Sequence, residues 1–223
     1  MSARRSHRQT STTRDQVNHA VANEDVSAIK SDIETVTQLI LLERQGRDRG
    51  WWDQMRAQYW PDAVMHLSWF DGSAHDNVDM SKEMNSGGNL ATHRLSPIVV
   101  HVDGDRALAE VPAAIEAPTI IQGVDVVLTS YLRLQYRAIR RDGDWRLLSL
   151  NTVYERDLLA ATTPGRVVHV DDAELAPFRK PYRLLAWFLA SRGYSVLDDL
   201  LGEDRPDEVA AFYERERRWL AGN

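Results

Sequence analysis

Residues 123–156, GVDVVLTSYLRLQYRAIRRDGDWRLLSLNTVYER, decide the fold class, because they form one long amphipathic β-hairpin. Asp142-Gly143 sits between two β-rich runs, a strong signal for a two-residue turn. That turn predicts pairs Arg140–Trp145, Ala138–Leu147, Tyr136–Ser149, Leu134–Asn151 and Leu132–Val153. Side chains alternate across a sheet, so these residues share one mostly apolar face. The other face carries Thr129, Tyr131, Arg133, Gln135 and Arg137 against Leu148, Leu150, Thr152 and Tyr154. An apolar face dotted with Tyr, Ser and Asn suits a small-molecule pocket on a curved sheet. It equally suits an ordinary core with a few satisfied polar groups, and periodicity does not separate the two.

Outward from the hairpin, the chain reads helices first and an antiparallel meander after, which argues α+β rather than parallel α/β. Ile29, Ile33, Val36 and Ile40 recur at helical spacing and predict an amphipathic helix over 26–46. A second helix is expected over 47–60, with Gly50 as the break between them. Pro61-Asp62 leads into a strand at 63–70, residues 74–86 are weakly helical, and Ser86-Gly87-Gly88-Asn89 reads as a loop. Strands follow at 92–102 and 106–117, joined by Asp103-Gly104-Asp105. Beyond Pro164, residues 177–194 and 205–220 each read as an amphipathic helix begun near a proline. The expected organisation is a disordered tail over 1–24, a main domain over 25–160 and a helical extension over 161–223 packed upon it.

Composition narrows the function classes. A chain of 223 residues, 27% charged and 43% apolar, can bury one core and a small appended unit. A net charge of −6 gives no reason to expect nucleic acid or an anionic membrane as partner. There is no cysteine, which excludes disulfides, thiolate metal sites and Cys nucleophiles. No apolar run approaches a membrane span, and the basic, hydroxyl-rich N-terminus lacks a hydrophobic signal core, so a cytoplasmic protein is expected.

The chain carries no phosphate loop, GxGxxG, GxSxG or HExxH, and its seven histidines lack metal-ligand spacing, so neither metal nor organic cofactor is expected. His66 and His75 with Asp71 and Asp76 could be drawn as ligands, but a surface loop is the better reading. Asp48 and His93 are the stronger pair. Asp48 ends the first helix, where the dipole disfavours a carboxylate, so it needs a partner or a task. A solvated acid beside Arg47 and Arg49 is the plainer account. His93 opens a strand after a Gly-rich loop, where a histidine is usually just a strand-end residue.

The order helix, DRGWWD (48–53), YWPDAV (59–64), short helix, ATH (91–93), VDGDRALAEV (102–111) and RRDGDWRL (140–147) resembles the SnoaL-like branch of the nuclear transport factor two superfamily. The resemblance covers residues 26–157. It implies a cone: a curved mixed sheet wrapped around N-terminal helices over a deep apolar pocket. The superfamily includes scytalone dehydratase, ketosteroid isomerase, polyketide cyclases and limonene epoxide hydrolase, with many non-enzymatic members. Asp48, four residues before Trp52-Asp53, and His93, ahead of the strand to Val102-Asp103, match a dehydratase aspartate and pocket histidine. The tyrosine preceding that aspartate is replaced by Arg47, the second catalytic histidine would fall near Ala117, and the isomerase aspartate near Leu67.

In that register Ala109, Val111, Ala113, Ile115 and Ala117 face the pocket, with Ala63, Met65, Leu67 and Trp69, and with Ser130, Tyr136, Ser149 and Asn151 from the hairpin. Trp52 and Arg47 join the expected substrate-binding set. The resemblance implies a cofactor-independent lyase in which His93 is acid and base, Asp48 orients it, and Tyr136 and Asn151 steady a developing oxyanion. Dehydration and retro-aldol cleavage demand the same equipment, and an isomerase, a cyclase or a non-catalytic binding module remain alternatives. The expected ligand is an apolar aromatic, steroid-like or polyketide-like small molecule. Pairing through the convex sheet predicts a homo-oligomer, a dimer above all, on the apolar outer residues Leu148, Leu150, Tyr131 and Tyr154.

Overall fold

The computed structural model describes residues 9–86 and 91–223, with side chains from residue 26 onward. The first helix, α1 (Gln9–Arg49), is longer than the 26–46 expected and takes in much of the stretch read as tail; residues 1–8 of that tail lie outside the described residues. It ends on Gly50, whose φ of 71° is the left-handed conformation that glycine adopts without strain. The second helix is shorter than expected, α2 (Trp52–Ala57). It crosses α1 closely at Gly46, where a Cβ would lie 2.8 Å from the Met55 amide nitrogen and 3.0 Å from the Trp51 carbonyl oxygen.

The chain then runs through β1 (Tyr59–Leu67), β2 (Phe70–Ser73), α3 (Ala74–Ser86), β3 (Thr92–Leu95), β4 (Val99–Asp103), β5 (Arg106–Ile121), β6 (Val124–Arg141) and β7 (Asp144–Ala161). The expected strand over 63–70 is two strands, with Ser68 and Trp69 in the turn between them. The one over 92–102 is also two, because Pro97 removes a ladder donor; both halves pair with β5. The loop expected at 86–89 falls, beyond Ser86, outside the described residues. Strand order is β2-β1-β7-β6-β5-β3, and β1 runs parallel to β7 while the β5-β6-β7 meander is antiparallel, giving the mixed sheet of the expected α+β cone.

The hairpin starts in the expected register, Arg140 opposite Trp145 and Ala138 opposite Leu147. A bulge at Leu148 then shifts it, so Ser149 lies opposite Arg137, Leu150 opposite Tyr136, Thr152 opposite Leu134 and Tyr154 opposite Leu132. One extra residue sends every following side chain to the other face. Leu150, Thr152 and Tyr154 therefore share the face of Tyr136, Leu134 and Leu132, while Ser149, Asn151 and Val153 join that of Arg137, Gln135 and Arg133. A second bulge at Glu155 restores the parity, placing Asp157 opposite Ser130.

The core fills the concave side, from Val36 and Ile40 of α1 through Met65, Val111, Leu132 and Leu150. The C-terminal segment covers both sides of the sheet. On the concave side a 3₁₀ turn (Lys180–Tyr182) leads into α5 (Arg183–Ala190), whose Leu185, Phe188 and Leu189 join the same core. The short helix α4 (Asp172–Leu175) precedes them. Strand β8 (Leu201–Gly202) then adds to β7, and α6 (Pro206–Leu220) packs Val209 and Phe212 on Val153. Arg137 also makes two 2.8 Å bonds to Glu216 there. This corrects the basis for pairing through the convex face. Leu150 and Tyr154 point inward, and α6 occupies part of the surface they were expected to supply.

Candidate active site

Two short elements bring the principal residues together. Asp48 lies on the last turn of α1 and His93 on β3, the edge strand paired with β5 at Ile115. His93 donates its backbone N–H to Asp48 Oδ2 at 2.8 Å, and its Nδ1 lies 2.7 Å from Asp48 Oδ1. A carboxylate facing Nδ1 fixes the proton there, so Nε2 carries the free lone pair. Arg44, one turn before Asp48 on α1, donates from Nη1 to that Nε2 at 3.1 Å. Arg44 is itself ion-paired with the neighbouring Glu43, which also accepts the Tyr136 hydroxyl at 3.2 Å.

Electrostatics follow from this order. Burial, then the Arg44 cation, hold His93 below its ordinary value, with Asp48 opposing them. Burial would raise Asp48, but its two bonds to His93 and the His93 charge bring it below the usual carboxylate range. Burial also pulls on Arg44, and Glu43 with the buried tyrosines more than offsets it, leaving it firmly cationic. Arg47 differs. It is 7% exposed, and its Nη1 is buried without a hydrogen-bond partner among the described residues. Burial and repulsion by Arg44 bring it down to about 10.

These groups border a cavity of about 100 Å³, a space of the order that accepts a single aromatic ring. His93, Arg44 and Arg47 form one polar wall; Leu67, Ile115, Ala117 and Leu134 supply apolar walls from the sheet, with Trp69 from the β1–β2 turn. Leu185, Phe188 and Leu189 of α5 close another side with Tyr194 and Arg192. Trp69 meets Tyr194 edge-on at 6.1 Å, which ties the β1–β2 turn to the C-terminal segment.

Of the residues expected to contact substrate, His93, Arg47, Leu67, Trp69 and Ile115 line this cavity. Asp48 reaches it through His93. Tyr136 does not line it; its hydroxyl is fully buried against Glu43, and burial raises it well above the ordinary phenol value. Val111 lies in the core, and Ser130 shares the inner face without reaching the cavity, its hydroxyl beside the Asp157 carboxyl. The Leu148 bulge turns Ser149 and Asn151 to the opposite face, and Thr152 and Tyr154 line the cavity instead. Tyr154 is committed to structure, accepting the Ser68 amide at 3.0 Å. Trp52 stands outside the cavity with the Arg47 guanidinium 5.9 Å from its ring centre.

Glu43 and Arg44 were missed, although Arg44 precedes Asp48 by one helical turn and so shares its face. The α5 residues lie beyond the stretch that carried the family resemblance. His66 pairs with Asp71 at 3.3 Å and lies 3.7 Å from Asp199. Among the described residues no group of three or more His, Asp or Glu is placed to hold a metal ion. No helix among them is long and apolar enough to cross a membrane.

Comparison with known proteins agrees with this architecture. An Aspergillus terreus protein of unassigned function is 28% identical over 177 residues, 71% of this chain; the chain spans 65% of that relative's length. Solved structures with a similar fold include a candidate scytalone dehydratase of Novosphingobium aromaticivorans, at TM-score 0.50 and 14% identity over 64% of this chain and 99% of that one. A hexachlorocyclohexane dehydrochlorinase, LinA type 3 of Novosphingobium barchaimii, gives TM-score 0.50 and 14% identity over 66% of this chain and 99% of that one. A Mycobacterium tuberculosis protein of unknown function gives 0.51 and 16% over 78% and 97%. At such identities these likenesses establish the fold alone. The profile of the SnoaL-like domain family matches residues 30–151, more than half of the chain, and with the cone fold it makes this protein a member of that family.

Proposed function

We propose that the protein is a cofactor-independent lyase that removes a proton from carbon and expels a β-oxygen, with His93 as the proton carrier. The observation that carries this is the Asp48–His93 pair, 2.7 Å apart at the wall of an apolar cavity. A neutral imidazole held by a carboxylate through Nδ1–H has a basic Nε2 and a ready partner for the imidazolium it becomes.

In the proposed reaction Nε2 takes the proton α to a carbonyl, and the C–H electron pair becomes the C=C bond. The β-C–O bond breaks, and the departing oxygen takes the proton back from Nε2 and leaves as water. Arg44 bears directly on this step. An imidazole nitrogen has one in-plane lone pair, and the Arg44 N–H now occupies it, so Arg44 must release Nε2 before the base can act. Giving up one such contact costs about 1–3 kcal/mol, recovered where the guanidinium meets a developing oxyanion or the leaving oxygen. Retro-aldol cleavage would use the same pair with the proton sites exchanged: Nε2 takes the proton of the β-hydroxyl, the Cα–Cβ bond breaks as the new C=O forms, and the α-carbon takes the proton back.

The specific observation favouring a binding module instead is that same Arg44–His93 contact, which engages the lone pair that a base would use. Incubating the purified protein with single-ring aromatic β-hydroxy ketones and acids, without added cofactor, separates the two. Elimination detected by ultraviolet absorbance and abolished by His93→Ala supports the lyase. Tight binding across the panel with no turnover supports the module.

A further inference from the structure

The polar wall of the cavity is unbalanced in charge. Arg44, Arg47 and Arg192 line it with His93, and among the described residues that line it there is no carboxylate. Two of these cations already have work. Arg44 is paired with Glu43, and Arg192 donates to Thr119 at 2.8 Å and lies over the Phe188 ring.

Arg47 lies 5.9 Å from the Trp52 ring centre, but that contact supplies no hydrogen-bond acceptor. Its neighbour Asp48 attracts it, but each carboxylate oxygen of Asp48 is hydrogen-bonded to His93, and no hydrogen bond joins Asp48 to Arg47 Nη1. The Arg47 head is buried, and Nη1 has no acceptor among the described residues. A guanidinium removed from water without an acceptor is costly, and that cost is relieved by an acceptor arriving with the ligand. The planar fork of an arginine matches the two oxygens of a carboxylate, and a dry apolar wall strengthens the pair.

We propose that Arg47 is the anion anchor of this pocket and that the natural ligand is an apolar, ring-bearing carboxylate, its charged end on Arg47 and its ring against Trp69 and Phe188. This rests on the proton-transfer function in one respect only. The carboxylate bound at Arg47 places the ligand's adjacent carbons near His93, which shares the same wall.

The test uses two nearly isosteric probes, phenylacetate and phenylacetamide, titrated calorimetrically into the wild-type protein, Arg47→Met and Arg47→Lys. Circular dichroism and melting temperature check that each variant is folded. The expected result is that wild type binds the carboxylate at least tenfold more tightly than the amide. Arg47→Met should bring that ratio close to one while the amide still binds, and Arg47→Lys should retain part of the preference. Equal affinity of wild type for both probes, no binding of either at millimolar concentration, or a preference that persists in folded Arg47→Met would each overturn the proposal. Binding is read without turnover. Loss of the anion preference therefore leaves the proton-transfer function standing, and a pocket that selects the anion but transforms nothing overturns that function alone.

Discussion

Asp48 holds His93 at two points, the ring through Nδ1 at 2.7 Å and the backbone amide at 2.8 Å. One side chain at the end of α1 thus sets both the tautomer of the base and the position of the edge strand that carries it. Both donors are N–H groups, so only an acid with two accepting oxygens serves them together.

That geometry makes Asp48→Asn more than a loss of charge. The amide offers one accepting oxygen, and its NH₂ must face the second N–H or drive the ring to the opposite tautomer. Turnover should fall by roughly 10–10²-fold, against 10²–10⁴-fold for His93→Ala, because the base survives but is misoriented for part of the time. A steady-state assay of both variants checks the order; an Asp48→Asn protein at full rate would remove Asp48 from the mechanism.

The lowered proton affinity of His93 has a signature in pH. The neutral form dominates at pH 7 and persists as pH falls past the ordinary histidine value of about 6.5. The acid limb of kcat/KM should therefore have its midpoint below about 6.5. A midpoint above that value would mean that Asp48 outweighs burial and Arg44, the reverse of the balance described.

Asp157 couples α5 to the sheet. Its Oδ2 accepts the Leu185 amide at 2.9 Å, near the start of the helix that closes the cavity, and burial pushes the carboxyl up to about 6. An unfolded aspartate titrates near 3.9. The folded state therefore binds this proton more tightly, and the stability it contributes is lost as pH rises from about 4 through 6. Asp157→Asn keeps an acceptor for Leu185 and removes the ionisation. Relative to wild type, the variant should gain melting temperature between pH 4 and pH 7. Parallel curves would show that the carboxyl is not the source of the slope.

Gly46 is required by contact rather than by dihedral angle. A methyl there would press on the backbone of Met55 and Trp51, neither of which can rotate away. Gly46→Ala should cost about 1–3 kcal/mol by urea denaturation. Because Asp48 follows two residues later on the same helix, activity should fall as well. An unchanged unfolding midpoint would show that α2 can shift freely.

Much of the fold is legible from turns and periodicity, and the site is legible only in part. Asp142-Gly143 fixes the start of the hairpin register, and Gly50 and Pro97 mark real breaks. The bulge at Leu148 leaves no such mark. In LSLNTVY apolar and small polar residues follow one another, so either register buries apolar groups, and Ser149 and Asn151 were assigned to the pocket in place of Thr152 and Tyr154. The Asp48–His93 pair was found through family resemblance, since 45 residues of separation carry no local signal. Tyr136 was misplaced because alternation tells which side of the sheet a residue faces. It does not tell whether helix α1, with Glu43, already fills that side.

The central claim is that Nε2 of His93 moves protons to and from carbon inside this pocket. Deuterium incorporation at the carbon α to the carbonyl, followed by proton NMR in D₂O over the same panel of aromatic β-hydroxy ketones and acids, reads that step alone, whatever follows it. Wild type should exchange the α-proton, or expel water, at least 10²-fold faster than His93→Ala for a ligand that both proteins bind. Equal rates in the two proteins, with binding intact, would contradict the account and leave the cavity as a binding site.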